Sequence, residues 1–320
     1  MRERTKGTLL VLLSTVFFAL STVGVKYATR TGEASAAHVA MARFLVGLAI
    51  TLPMVIKDPS LLRPRGPLWV GVRAVGNVIA VFLFFFGIQY TSVSKANLLN
   101  MTYPVFVFFL SPFVTGEKTR PVTVMLLVVT MFGVWNVVRP DDLSSLTNFA
   151  LGDLLAFSSA ILAGLSIAAL RKARTTDSTK TIVFYIMALG AVANLGIVAG
   201  LPLPSAKFLL IALAGGLSGA IGQFLLTIGF AHVSAQTGSL LSTARILIAV
   251  TLGVVLFGDI ITLRTIVGAT LIVGSLIAAS SIGQEWARGG RKPSIDTCGR
   301  DSPGPDSPGP AARGTMPDDA

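Results

Sequence analysis

About ten apolar stretches, of roughly 17–25 residues, constrain this chain more than any other feature, because each can cross a ~30 Å hydrocarbon layer as a helix. They run over residues 8–28, 36–56, 67–89, 92–114, 122–138, 152–170, 181–201, 206–230, 234–257 and 263–282. They are too long for strand alternation, which selects helices over a β-barrel. A helix also satisfies its own backbone N–H and C=O groups, as lipid demands. Composition agrees: of 320 residues, 52% are hydrophobic and 13% charged, and the mean hydropathy is +0.75. A soluble domain carries about 25% charge, so this chain lacks the polar surface to be one. The connections are short and broken by Pro, Gly and charge, as in KDPSLLRPRG at 57–66, EKTRP at 117–121 and RPDD at 139–142. None could house a soluble catalytic domain.

The formal net charge is +11, yet the basic residues sit between apolar runs instead of forming one face, which argues against nucleic acid as a partner. On alternate sides of the ten crossings, Lys and Arg favour the side of the two termini by roughly three to one. That bias predicts a multi-pass protein of a prokaryotic cell (inner) membrane with both termini cytoplasmic. Arg2, Arg4 and Lys6 resemble the start of a signal peptide, but the apolar stretch that follows is too long for one, so it is read as a retained helix. Beyond Gly283 the composition turns polar and then repetitive, with SPGPDSPGP at 302–310, and residues 286–320 are expected to form a disordered cytoplasmic tail. The single cysteine, Cys298, lies in that tail, so no disulfide or thiolate cluster can form within the chain.

The chain repeats itself. GTLLVLLSTVFFALSTVGVKYA at 7–28 aligns without gaps on GDLLAFSSAILAGLSIAALRKA at 152–173, matching among others Ser14 with Ser159, Ser21 with Ser166 and Lys26 with Arg171. GIQYTSVSKANLL at 87–99 aligns on GFAHVSAQTGSLL at 229–241, and Gly116-Glu117 on Gly258-Asp259, at nearly the same offset. Two collinear matches make chance unconvincing. The reading is therefore an all-α membrane protein of about ten transmembrane helices in two inverted five-helix repeats, over 1–145 and 146–285. Inversion is forced, because a repeat with an odd number of crossings makes its copy enter from the opposite side.

The residues also resemble a known family. SVSKANLLNMTYPVFVFFLSPFVTGEKTRP at 92–121, with Leu98, Leu99, Pro104, Gly116 and Glu117, is similar to the fourth helix of EamA-type permeases of the drug/metabolite transporter superfamily. The second copy keeps Leu240, Leu241 and Gly258, with Ile246 in place of the proline and Asp259 in place of the glutamate. The resemblance implies a secondary transporter of small metabolites working by alternating access, in a family that spans exporters of amino acids, nucleosides and other metabolites. Rival readings from other classes are a membrane-embedded lipid-modifying enzyme and a lipid scramblase.

Four basic residues, Arg43, Arg73, Lys95 and Arg245, fall inside the apolar runs. A charge at the bilayer centre costs about 2.5–3.5 kcal/mol on insertion scales, so each needs a polar interior, a partner or an interface. Lys95 and Arg73 lie within snorkelling reach of a helix end. Arg43 is deeper, and Arg245 is nearly at mid-helix. No Asp or Glu sits at comparable depth, so the interior is expected to be electropositive and to favour anionic or carboxylate-bearing substrates such as amino acids. Asn77, Asn100, Tyr103 and Gln223 are the polar neighbours expected to complete a substrate site with Arg43, Arg73 and Arg245. Glu117 is read as an ion pair or cap on the cytoplasmic side that holds the repeat ends. Gly215, Gly216 and Gly219 are read as close-packing positions, since no phosphate-binding pattern accompanies them. His38 and His232 lie near opposite surfaces without ligand spacing, so no metal, cofactor or catalytic residue is expected.

Overall fold

A computed structural model describes residues 2–30, 35–90, 93–138, 151–202, 204–257 and 261–289. Among these residues the protein is entirely helical, with ten spans long and apolar enough to cross a membrane. In chain order the helices are α1 (Arg2–Arg30), α2 (Ala36–Lys57), α3 (Pro67–Tyr90), α4 (Val93–Asn100), α5 (Tyr103–Thr115), α6 (Pro121–Val138), α7 (Leu151–Ala173), α8 (Thr179–Val198), α9 (Ala206–Gly229), α10 (Ala235–Ser242), α11 (Ala244–Phe257) and α12 (Leu263–Gly289). The last helix continues past residue 282, so 286–289, read from the sequence as the start of a disordered tail, are helical; the rest of that tail lies outside the described residues.

The fourth and ninth spans, each expected as one helix, are each broken in two. In the fourth, Pro104 has no N–H to donate to the Asn100 carbonyl, and the chain tightens through Thr102 N to Leu99 O at 3.2 Å before α5 begins. In the ninth no proline is present. There the Thr243 hydroxyl donates back to Leu240 O at 2.7 Å, a bond that bends a helix, and Thr243 N also turns to Leu240 O at 3.0 Å. Met101 and Thr243 occupy matching places in the two repeats, so the same break is made by two different chemistries.

Packing obeys the exchange of repeats. α1 lies along α9, and α7 lies along α3; α2 crosses α8 and α6 crosses α12, each pair relating an element to its own copy; α5 against α7 mirrors α11 against α1. Glycines permit the closest of these approaches. A Cβ on Gly133 of α6 would stand 2.9 Å from Gly268 O of α12, and one on Gly268 would stand 2.6 Å from Gly133 O. The main core joins Val11, Leu98, Val107, Ile167, Leu170, Phe230 and Leu241, contributed by both repeats. Outside, large apolar side chains stand bare, with Phe113 88%, Leu263 77% and Val192 72% exposed. So much exposed apolar surface suits lipid, not water.

Candidate functional site

Beside the apolar core, charged and polar side chains also turn into the bundle. Arg73, from α3, is 2% exposed and donates from Nη1 to Ser166 Oγ of α7 at 2.8 Å; that hydroxyl in turn donates to Arg73 O at 2.9 Å. Arg43, from α2, donates from Nη2 to Gln223 Oε1 of α9 at 2.8 Å and lies 5.2 Å from the centroid of the Phe18 ring of α1, a cation–π distance. Gly219 makes room for it, since a Cβ there would stand 2.8 Å from Arg43 Cδ. Arg245 opens α11 just past the ninth-span break, and its Nη2 faces Met101 Sδ of the fourth-span break at 3.4 Å. Arg43 lies over Phe18 and Arg245 against Met101, and both of these side chains pack in the main core with Val70 and Ala74, which neighbour Arg73. Among the described residues no carboxylate pairs with any of the three.

Among the described residues three buried donors in this region have no acceptor: Arg43 Nε, Arg73 Nε and Asn77 Nδ2. Arg73 and Asn77 share one face of α3, one turn apart. The N-terminal turns of α5 and α11, restarted at the two breaks, lie at the same level and add the positive ends of two helix dipoles. Tyr103 at the head of α5 is buried, reaches Ser239 O at 3.4 Å and interacts electrostatically with Arg245. Chemically the arrangement is a donor-rich, cationic interior suited to holding oxyanions.

Polar links between the repeats concentrate at the end of the bundle that carries the N-terminus. Glu117, after the left-handed Gly116 (φ 72°) that ends α5, accepts from Arg171 Nε at 3.1 Å and from the backbone N–H of Ala235, the first residue of α10, at 2.9 Å. Arg171 Nη1 also donates to Phe230 O and Ala231 O. Gln236 Nε2 donates to Ser111 Oγ at 3.0 Å and Thr119 Oγ1 at 2.6 Å. Asp177 accepts the N–H groups of Arg65 and Gly66, which precede α3, at 2.7 and 2.9 Å. Burial and the Arg171 charge lower the proton affinity of Arg174, which Asp177 partly restores. His232 Nδ1 lies 3.3 Å from Glu3 Oε2. Among the described residues no group of three or more His, Cys, Asp or Glu could hold a metal ion.

The pattern of the EamA-like transporter family matches residues 5–139 and again 150–281. The chain belongs to the EamA-like transporter family. It is 27% identical to the pseudopaline exporter CntI of Pseudomonas aeruginosa over 86% of this chain and 95% of that protein. It is 24% identical to solute carrier family 35 member G1 of Homo sapiens over 86% of this chain and 78% of that protein. A crystal structure superposes with a TM-score of 0.73 at 20% identity, over 88% of this chain and 98% of the other, which speaks to the fold. The relatives are named transporters, and this EamA-like transporter is an integral multi-pass membrane protein.

Of the site residues expected from the sequence, the structure brings Arg43 and Gln223 into contact, sets Arg73 and Asn77 side by side, and places Arg245 against the break beside Tyr103. Asn100 stands apart in this EamA-like transporter, donating to Ser159 Oγ of α7 at 2.8 Å. The snorkelling reading of Arg73 is corrected: its guanidinium turns inward onto Ser166, not toward a surface. Glu117 is at once ion pair and cap, with Arg171 as its charged partner and the Ala235 N–H as the group it caps. Gly258 and Asp259 lie outside the described residues, as does the side chain of Lys95. Sequence reasoning passed over Ser166, Ser159 and Gln236. The first two had surfaced only as repeat matches, and small hydroxyls inside apolar runs carry little signal until a partner helix is known.

Proposed function

We propose that this protein is a secondary transporter that moves small polar metabolites across the membrane by alternating access, favouring anionic or carboxylate-bearing substrates such as amino acids, and that it carries out no covalent chemistry. The observation that carries the reading is the set of three inward guanidiniums on α2, α3 and α11 with no described carboxylate beside them. Such a charge set is costly in a membrane interior unless a ligand or water answers it. The repeats 1–145 and 146–285 rock against each other around this level. The links at the N-terminal end make this the conformer closed on that side, which the Lys and Arg bias assigns to the cytoplasm of a prokaryotic inner membrane. One relative is named an exporter, which favours outward movement here.

The test is solute flux in proteoliposomes made with the full chain. Flux of anionic metabolites that falls at least tenfold in Arg245→Gln supports the proposal. Unchanged transport of every anionic substrate by that variant overturns the site. Lipid exchange or lipid chemistry without solute flux overturns the transporter.

A further inference from the structure

The number and spacing of the unanswered charges say more about the substrate than its sign. Arginine stays protonated at any physiological pH, so Arg43, Arg73 and Arg245 present three positive charges that burial cannot remove. They are spread along the bundle: Arg43 lies about two turns from one end of its span, Arg73 under about two turns from the opposite face, and Arg245 at the mid-level break. Phe18, under Arg43, packs against the core cluster that also holds Met101, which Arg245 meets, and Val70 and Ala74, beside Arg73 on α3, so the three guanidiniums border one interior. The unmet donors divide in the same way, with Arg43 Nε on one helix and Arg73 Nε and Asn77 Nδ2 on another.

A single carboxylate can neutralise one guanidinium and leaves the other two repelling. A zwitterionic amino acid does worse, because its ammonium adds to the cationic set. An organic acid with two or more carboxylates supplies an anionic group at each donor set, and each carboxylate brings about four lone-pair sites for the N–H groups. We infer that the substrate is a small organic acid carrying at least two carboxylates and a net charge of −2 or beyond, one carboxylate held by Arg43 and Arg245 and another by Arg73 and Asn77. This rests on the transporter reading above and narrows it away from zwitterionic amino acids.

The experiment measures uptake of labelled citrate, succinate, lactate, alanine and uridine into phosphatidylcholine proteoliposomes of the full chain. Succinate and citrate are expected to move at least tenfold faster than lactate, alanine or uridine. Arg73→Gln is expected to lower succinate uptake at least tenfold and shrink its advantage over lactate, with Arg73→Lys intermediate. Thermal unfolding of the detergent-purified variants, set beside succinate binding read by tryptophan fluorescence, separates lost recognition from lost folding. Lactate, alanine or uridine moving as fast as succinate overturns the inference and leaves the transporter standing. No flux of any of the five, together with no succinate binding by the folded wild-type protein, overturns both.

Discussion

Glu117 Oε1 accepts the Nε–H of Arg171 at 3.1 Å, so the end of α5 in one repeat is fastened to the end of α7 in the other. The two side chains are 22% and 25% exposed, and an ion pair so placed contributes at most about 1 kcal/mol. Its importance lies in position. Because Oε2 also caps the first N–H of α10, one carboxylate joins three elements that must separate if this end is to open.

Removing that carboxylate is expected to loosen the closed end without unfolding the protein. In a Cys298→Ser background, a reporter cysteine at Ser111 is buried beneath the clamp. Glu117→Ala should raise its labelling by a membrane-impermeant thiol reagent roughly 5- to 10-fold, the equivalent of about 1 kcal/mol on the opening equilibrium. Glu117→Gln, which keeps an acceptor for Ala235 N–H, should fall between. Labelling that stays at the wild-type rate in both variants would remove Glu117 from the clamp.

Locking the same end should stop transport. Thr119 and Gln236 meet at 2.6 Å across the repeats through the long Gln side chain, so cysteines at both positions should be joined by a short, reductant-cleavable thiol cross-linker. Flux in the cross-linked protein is expected to drop below about a tenth of its free value and to return with reductant. Full flux with the bridge intact would show that this end never needs to part.

Two glycines one turn apart on α9 should respond differently to alanine. At Gly216 the new methyl would stand 2.7 Å from the backbone C of Ala42 and N of Arg43, which cannot yield without moving α2. A loss of about 1–3 kcal/mol in stability, seen as a lower Tm, is expected. At Gly219 the obstacle is Arg43 Cδ, part of a flexible side chain. There stability should hold while substrate affinity falls, and equal Tm losses at both sites would contradict this.

Ser166 both accepts from Arg73 Nη1 and donates to Arg73 O. Ser166→Ala strands a buried charge-assisted donor, so a cost of about 1–3 kcal/mol is expected in denaturation of the detergent-purified protein. Ser21→Ala, at the matching place in the first repeat, removes no bond to Arg73 and should cost less than half as much.

The ten spans and the two repeats were legible because both leave long-range marks: apolar length for the first, a constant offset between matching residues for the second. The depth of Arg245 was legible for the same reason. The inward turn of Arg73 was not, because helical position fixes how far a long side chain is from an end but not which way it points; that depended on Ser166, 93 residues later. The break at Met101–Thr102 had its cause in view at Pro104. The matching break at Thr243 did not, because a hydroxyl that bends a helix reads in sequence like any other small residue. Glu117 was legible as an ion pair or cap but its partner was not, since Arg171 is near only after α5 and α7 pack.

The contact of α6 with α12 differs in kind from the polar clamp. Two glycines there bring backbone against backbone, with side chains such as Ile272 and Val137 closing around them. A backbone-to-backbone seam of this sort can shear by small sliding steps, whereas a carboxylate bridge is either made or broken. On the proposed rocking of the repeats, the first acts as a sliding bearing on one flank and the second as a snap fastener at one end, so stiffening the bearing would slow opening to both sides, whereas loosening the fastener would ease opening to one.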